Sequence, residues 1–409
     1  MKASGARLAA MMFLQFFVWG AWYTTVAVYM SNHGMESLTH WPYTVNPVAA
    51  IVAPFFLGLV ADRYFATEKV LGVLHLLGGL VMLLVPRASG VPLVFILLLL
   101  VYNLCYMPTL GLANSLAFHH IRNQERQFPV IRVFGTVGWI VAGLLISFGL
   151  SRFVTVLPEQ TAMPLYTTAV ASLVLGLYSF TLPHTPPPAA GRKVSLRSIA
   201  GLDALEQLGS RPFYIFVVSS MLICIPLAAY YNFTQIFLEA AGFRSIAGTQ
   251  TLGQMSEVIF MLLMPLLFAR LGVKWMLVVG MGAWVVRYAL FALGAPAGVR
   301  WLILGGVVLH GICYDFFFVT GQIYVDKKST PEIRGQAQGF LVLITYGVGM
   351  LIGAQVAGNV YNAFLGEQTL LTLRQFQQFW LIPAVFAFLV LVFFVLAFSD
   401  RAEAKEPDR

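Results

Sequence analysis

Long uninterrupted apolar runs, separated by short polar or charged stretches, dominate the chain. Most of these runs carry one charged residue or none. A helix needs about 20 apolar residues to cross a hydrocarbon core about 30 Å thick. The apolar positions are continuous rather than alternating, which excludes a membrane β-barrel. The pattern predicts an all-α polytopic membrane protein with twelve transmembrane helices, at roughly 8–30, 43–62, 69–86, 91–118, 128–150, 163–184, 212–238, 246–270, 274–294, 300–326, 335–361 and 375–398.

Composition supports the same fold class. Of the 409 residues, 59% are hydrophobic and only 10% are charged, whereas a soluble domain carries about 25% charged residues. The first apolar run continues to about Met30 with no cleavage pattern of small residues, so it is interpreted as the first span and not as a signal peptide. The net charge of +8 could suggest a nucleic-acid partner. We reject this because the basic residues are scattered between apolar runs instead of forming one patch.

The distribution of Lys and Arg predicts the orientation. If the N-terminus is cytoplasmic, 18 of the 25 basic residues fall in inside segments, 5 in outside segments and 2 within spans. Cytoplasmic loops carry such an excess in membrane proteins. We therefore predict a multi-pass protein of the bacterial inner membrane, surrounded by the lipid bilayer, with both termini in the cytoplasm. We expect it to function as a monomer.

One long polar connection divides the chain. We predict an N-terminal six-helix half at 1–184, a cytoplasmic linker at 185–211, a C-terminal six-helix half at 212–398 and a cytoplasmic tail at 399–409. Two six-helix halves joined by a basic loop are the layout of the major facilitator superfamily, in which the solute site lies between the halves near the bilayer midplane. The loop that begins at Gly58 and contains Asp62 and Arg63 resembles the G-x-x-x-D-R signature of that superfamily.

Four ionisable residues lie deep inside predicted spans, where charge is costly and indicates function by default. They are Arg132, Glu257, Arg287 and Asp315. From the helical rise, Glu257 lies about 16 Å and Asp315 about 22 Å below the outer ends of their spans. Ionisation of an acid is unfavourable away from water, and a nearby guanidinium offsets that cost, so such an acid can load and release a proton. For Arg287 we favour a fixed ion pair that holds helices in register.

Polar and aromatic side chains surround these charges. Thr136 and Trp139 follow Arg132 on one helical face, and Gln254 precedes Glu257 on another. We add residues of spans 7 and 10 to the candidate substrate site: Tyr231, Asn232, His310 and Tyr314. Together these side chains suit a ligand with an apolar planar face and several hydroxyl or amide groups.

At these residues the sequence resembles the nucleoside:proton symporters of the major facilitator superfamily. The resemblance runs end to end and is carried by long segments such as FPVIRVFGTVGW (128–139), GQMSEVIFMLLMP (253–265) and YDFFFVTGQIYVDK (314–327). It implies a carrier that imports nucleosides with a proton. By position it implies that Arg132, Thr136, Trp139, Gln254 and Glu257 contact or organise the nucleoside.

The resemblance also implies that Glu257 and Asp315 are the proton-coupling acids. Four positions depart from the pattern of the family's best-known members. Ala228 and Tyr231 lie nearest the positions where a Gln and an Asn are usual, His310 lies where a Tyr is usual, and Tyr314 where a Phe is usual. Contacts to the ribose or the base are therefore expected to differ.

Other functions are less consistent with the sequence. A proton-coupled sugar or other small polar-solute symporter stays open, because Trp, Gln, Asn and Glu also suit sugars. A transport-dead receptor usually carries a soluble signalling domain, and the predicted tails are too short for one. No Walker-type motif, metal-ligand cluster or catalytic Ser–His constellation is found. We therefore predict no enzymatic activity and no catalytic residues, metal or cofactor.

Overall fold

The computed structural model describes residues 3–57, 64–122, 124–187, 195–330 and 333–399, which are almost entirely helical. Spans are numbered in chain order. The first six are Ala3–Tyr23 continued by Val26–Ser31 (span 1), Pro42–Phe56 (span 2), Thr67–Leu84 (span 3), Pro92–His120 (span 4), Gln124–Leu144 (span 5) and Met163–Ser179 (span 6).

The second six spans are interrupted more often. They are Arg211–Ala240 (span 7), Ile246–Gly294 (spans 8 and 9), Arg300–Val308 with His310–Tyr314 and Thr320–Lys328 (span 10), Arg334–Val342 with Met350–Leu365 (span 11), and Leu373–Ala397 (span 12). Wider π-helical turns join the parts of span 10 at Asp315–Val319 and those of span 11 at Leu343–Gly349. Such turns are rare and occur frequently at functional sites.

Spans 8 and 9 form one continuous helical segment interrupted at a single residue. Gly272 has φ 64° and ψ 179°, a conformation that only glycine adopts at low cost. The chain therefore reverses at Gly272, between the predicted spans 246–270 and 274–294. This separation, together with the shorter apolar helices Pro42–Phe56 and Met163–Ser179, brings the count in the described chain to the twelve predicted spans.

Spans 1 and 5 pack unusually closely. A Cβ atom built on Gly138 would lie 2.1 Å from the carbonyl oxygen of Phe13, and one on Gly20 would lie 2.9 Å from the Trp139 ring. Only glycine fits at such contacts, where helix backbones touch. This packing fixes the rotation of span 5 and so decides which of its side chains point between the halves.

The two halves meet firmly at one end of the bundle. We call this the outer end; it carries the loops that follow odd-numbered spans, and the opposite end is the inner end. Gln235 of span 7 accepts a hydrogen bond from the Ala27 N–H at 3.1 Å, and Gln250 of span 8 donates to the Thr24 carbonyl at 3.1 Å. Asn32 donates to Glu239 at 2.9 Å and Asn362 donates to the Ser37 carbonyl at 2.8 Å on the same side. The described chain is therefore closed at the outer end.

Short helices precede span 7. Leu196–Ile199 and Leu202–Leu208 lie within the predicted linker. Arg197 donates hydrogen bonds to Asp203 and Glu206, and these two carboxylates raise the pKa of its guanidinium. The second helix packs against the inner part of span 11. The loop signature with Asp62 and Arg63, and linker residues 188–194, lie outside the described residues.

Candidate functional site: a cavity between the two halves

A cavity of about 510 Å³ lies between the halves, and spans from both halves line it. From the closed outer end, its wall extends along span 10 to Gln322 and along span 11 to Val342, both in the inner parts of those spans. The volume falls within the range of about 300–1,000 Å³ that is typical of small-molecule sites.

Span 5 supplies one wall. Arg132, Thr136 and Trp139 all line the cavity, as their i, i+4, i+7 spacing predicts. The Arg132 guanidinium lies 3.9 Å from the centre of the Phe16 ring of span 1, so an aromatic face holds it as a cation–π partner. This contact uses the face of the guanidinium and none of its N–H groups, so the N–H groups of Arg132 can donate to a solute.

Spans 7 and 8 supply the opposite wall with Tyr231, Gln254 and Glu257. The Oε1 atom of Gln254 is buried and has no hydrogen-bond partner among the described residues. A buried acceptor without a partner is costly. A donor from a bound solute or from water would satisfy it.

Span 10 presents every fourth residue to the cavity. The strip consists of His310, Tyr314, Phe318 and Gln322. A regular helix with 3.6 residues per turn would rotate such a strip away from the cavity. The π-helical turn at Asp315–Val319 is wider and keeps the strip on one face.

Two predicted residues are not on the cavity wall. Asn232 is fully buried, and neither its amide nitrogen nor its amide oxygen has a partner among the described residues. Neighbouring helical residues point about 100° apart, so the helical turn that brings Tyr231 to the cavity directs Asn232 elsewhere. Asp315 is also fully buried, next to Tyr314, and both of its carboxylate oxygens lack a partner in the described chain.

The charged side chains interact through space rather than by direct contact. Arg132 attracts Glu257, and Glu257 in turn repels Asp315. No described Lys, Arg or His nitrogen lies within 4.0 Å of either carboxylate. The acids are therefore near a cation and near each other, yet neither is fixed in an ion pair.

The structure describes no carboxylate partner for Arg287. The ion pair favoured from the sequence is therefore absent in the described chain. The guanidinium instead lies 4.0 Å from the centre of the Tyr230 ring, and Nε donates to the Gly306 carbonyl at 3.1 Å.

An aromatic cluster covers the cavity, and sequence reasoning found only part of it. Trp19 of span 1 lies 5.5 Å from Trp139 and 5.9 Å from Tyr346 of span 11, measured between ring centroids. Tyr23, four residues after Trp19, lies 5.6 Å from Tyr231. Tyr23 and Tyr346 were missed. The i, i+4 spacing from Trp19 could have identified Tyr23, whereas nothing local identifies Tyr346.

Two six-helix halves that enclose a solute-sized cavity at their interface define a membrane transporter of the major facilitator fold, and not an enzyme. A solved structure of the nucleoside transporter NupG superposes with a TM-score of 0.84 at 30% identity, over 97% of this chain and 99% of that one. An auto-inhibited peptide transporter superposes with a TM-score of 0.73 at 15% identity, which supports the fold alone.

Sequence comparison gives the family. Residues 1–403 match the family described as "Nucleoside H+ symporter", and the chain belongs to it. It is 37% identical to the putative nucleoside transporter YegT of Escherichia coli, over 97% of this chain and 94% of that protein. It is 31% identical to the nucleoside permease NupG of E. coli, over 98% and 97% respectively. The xanthosine permease of E. coli is 30% identical, over 96% and 95%.

Proposed function

We propose that this protein imports nucleosides together with protons across a bacterial inner membrane by alternating access. The observation that carries the proposal is the cavity wall, where aromatic faces, amide and hydroxyl groups and one acid lie together between two halves that can rock. Family membership and the likeness to NupG support the same conclusion.

The wall suits both parts of a nucleoside. Trp139, Tyr231 and Tyr314 offer aromatic faces on which a planar base can stack. Gln254, Glu257 and Thr136 offer donors and acceptors for ribose hydroxyls or base edges. In this proposal Arg132 and His310 complete the polar contacts. Asn232 does not line the cavity in this conformation, so it is not one of these contacts.

We assign proton coupling to Glu257 and Asp315. Glu257 lines the cavity, where it can sense both substrate and proton, while Asp315 is fully buried behind the wall. An ionised carboxylate without partners in a dry interior is very unfavourable. The neutral acid is therefore the form of Asp315 that this arrangement accommodates. Repulsion between the two carboxylates further opposes their simultaneous ionisation.

Coupling requires that loading changes the preferred conformation. The protonated, nucleoside-loaded carrier must rock more readily than either partly loaded form, which is a linkage requirement between two ligands. In the predicted orientation the closed outer end faces away from the cytoplasm. The arrangement described here is then the one that releases solute inside. A single chain suffices for this cycle, since one chain forms the whole cavity.

Uptake by the purified protein in proteoliposomes tests the proposal. Radiolabelled uridine and adenosine are offered with and without an imposed pH gradient, acidic outside, and unlabelled purine nucleosides, pyrimidine nucleosides and sugars compete. We expect accumulation that depends on the gradient and that only nucleosides inhibit. Inhibition by sugars but not nucleosides would favour the sugar symporter instead. Equal uptake with and without the gradient would remove the proton from the mechanism.

A further inference from the structure

Arg287 of span 9 is a buried cation for which the structure describes no carboxylate partner. It is fully buried, and its Nη1 and Nη2 atoms have no hydrogen-bond partner among the described residues. Its Nε atom donates to a backbone carbonyl, that of Gly306, at 3.1 Å. It does not line the cavity. Removing a charged group from water without a compensating partner costs several kcal/mol of free energy, as a rough magnitude. Such a group indicates a role beyond packing.

A stack of rings connects Arg287 to the cavity wall. The guanidinium carbon lies 4.0 Å from the centre of the Tyr230 ring. The Tyr230 ring is nearly parallel to the His310 ring, at 16° and a centroid distance of 5.3 Å. His310 lines the cavity. The uncompensated charge of Arg287 is therefore one aromatic ring away from a titratable group that faces the solute.

The surroundings of His310 do not favour a charged imidazole. Its Nδ1 atom is buried with no partner among the described residues, so a second ring proton there would have no acceptor. Neither Glu257 nor Asp315 lies within 4.0 Å of a His310 nitrogen, so no described carboxylate pairs with the ring. Three tyrosine rings contact His310, those of Tyr230, Tyr231 and Tyr314. Arg287 is the cation that acts on it. The other titratable groups of the packed spans 8, 9 and 10 are Glu257, Tyr288, Cys313 and Asp315.

We propose that Arg287 is a positioning residue that acts on the solute through His310, by keeping the imidazole uncharged so that the cavity selects uncharged nucleosides over phosphorylated ones. Repulsion between the guanidinium and an imidazolium, in a site of low dielectric, opposes protonation of His310. With His310 neutral, Arg132 and Glu257 are the only other ionisable side chains of opposite charge on the described cavity wall, and their charges balance while Glu257 is ionised. This inference rests on the proposed function, since it gives His310 a place in the nucleoside site.

The charge of His310 can be observed directly. Solid-state ¹⁵N NMR of the full-length protein in proteoliposomes, labelled at histidine, distinguishes neutral imidazole from imidazolium. The chain has 7 histidines, and a His310→Phe variant identifies the signal. We expect His310 to stay neutral between about pH 5 and 8, the range in which an ordinary histidine changes charge. An imidazolium at His310 of the unaltered protein within that range would overturn the inference, without any need for an Arg287 variant to fold.

Variants at Arg287 test the cause. In Arg287→Gln we expect the imidazolium to appear as the pH falls towards 5, whereas Arg287→Lys, which keeps the charge, should leave His310 neutral. Arg300→Gln is the matched control, because Arg300 also lies over an aromatic ring, that of Phe243 at 5.6 Å, but is exposed at the outer end. A neutral His310 in Arg287→Gln across the whole range would contradict the assignment.

Ligand selectivity provides a second readout. A nucleoside 5′-monophosphate should compete about tenfold better at pH 5 than at pH 8 in Arg287→Gln, because a charged His310 attracts the phosphate. The improvement should vanish in Arg287→Gln/His310→Phe. If the NMR spectra change as expected but competition does not, His310 is outside the solute's reach and the selectivity claim fails. If unaltered protein binds neither uridine nor adenosine, the proposed function fails, while the NMR result still reports on Arg287 and His310.

Discussion

Buried ionisable and amide side chains differ between the two halves of this transporter in whether they have hydrogen-bond partners. In spans 1–6, five side chains form one connected network. Gln15 donates to the Thr109 hydroxyl at 2.6 Å, and its other amide atom lies 2.9 Å from Nε2 of His75. His75 Nδ1 lies 3.2 Å from the Ser172 hydroxyl, and Tyr106 donates to the Gln15 carbonyl at 2.6 Å.

In spans 7–12 several ionisable and amide groups have no such network. Both oxygens of Asp315, two guanidinium nitrogens of Arg287 and both amide atoms of Asn232 are buried and unpartnered among the described residues. A satisfied polar network specifies one fixed arrangement, whereas unsatisfied groups need a proton, a ligand, water or another conformation. The comparison indicates that the polar network of spans 1–6 acts as a fixed scaffold. Spans 7–12 carry the groups whose state changes during transport.

The largest effect is expected at Asp315. A gradient of two pH units stores about 2.7 kcal/mol per proton, enough for roughly hundredfold accumulation at one proton per nucleoside. Because Asn cannot exchange a proton, Asp315→Asn should reduce accumulation in proteoliposomes to the level reached without a gradient, while nucleoside binding is retained. The matched control is Asp326→Asn on the same span, where Asp326 pairs with Arg334 at the inner end. Full uphill transport by Asp315→Asn would remove this residue from the coupling.

Glu257 should show the next largest effect. Replacing it with Gln removes a charged acceptor from the cavity wall, a contact worth about 1.5–3 kcal/mol, so nucleoside affinity should fall about 10- to 100-fold. Binding isotherms at several pH values measure this, and the pH dependence of affinity should weaken too. Glu206→Gln, in the exposed linker, should behave as the unaltered protein does. Unchanged affinity and uptake at every pH would mean that Glu257 has only a packing role.

His75 tests the scaffold side of the comparison. His75→Leu removes the imidazole that contacts Gln15 Oε1 and the Ser172 hydroxyl, and it should lower the free energy of unfolding by about 1–3 kcal/mol. Ser172 keeps its bond to the backbone carbonyl of residue 75, and Gln15 keeps its bond to Thr109. Thermal unfolding followed by tryptophan fluorescence reports this loss, with His119→Leu, which alters an exposed histidine, as control. The ratio of uptake with and without a pH gradient should not change. A changed ratio would show that spans 1–6 also take part in coupling.

The smallest effect is expected at His40, at the outer end. The His40 ring packs into a notch at Gly358, on the opposite half, where an added Cβ would lie 2.3 Å away. Burial lowers the pKa of His40 to about 4 from the model-compound value of 6.5. When the outer end opens, water restores the ordinary pKa, so the open form binds the proton more tightly. Closure should be fully stable above about pH 6.5 and weaken as the pH falls towards 4.

Distances between spin labels at Arg152 and Arg374, exposed positions on opposite halves, would measure this opening. The open fraction should rise with acidification in the unaltered protein and in the control His33→Gln. The rise should be smaller in His40→Phe, which removes the contribution of His40 and leaves that of the coupling acids. An equal acid response in His40→Phe would assign the sensitivity to other groups.

Most of the fold follows from local sequence. Apolar runs bounded by charges predict the twelve spans, with the described ends within about six residues, and the reversal between spans 8 and 9 falls at Gly272 as their pattern requires. The break in span 1 does not follow from the local sequence. Neither Thr24 nor Thr25 forces a break, and the interruption is stabilised by Gln235 and Gln250, more than 200 residues away. Such contacts are not visible in a local pattern.

The candidate site was predictable where one helical face carried the signal. The spacing of Arg132, Thr136 and Trp139 predicts one shared helical face, and all three side chains line the cavity. Asn232 was misplaced because the rotation of span 7 is set by its packing, and one residue of rotation moves a side chain off the wall. For Arg287 the sequence suggested an acid partner, but the described partner is the ring of Tyr230. That contact depends on how spans 7 and 9 meet.

The central claim is that nucleoside and proton cross together because acids of spans 7–12 change charge during the cycle. It is tested most directly by adding uridine or adenosine to proteoliposomes that contain a trapped pH-sensitive dye, with no imposed gradient. The account predicts that nucleoside entry acidifies the interior, and that Asp315→Asn abolishes the acidification but not nucleoside binding. Nucleoside entry without any proton movement in the unaltered protein would contradict it.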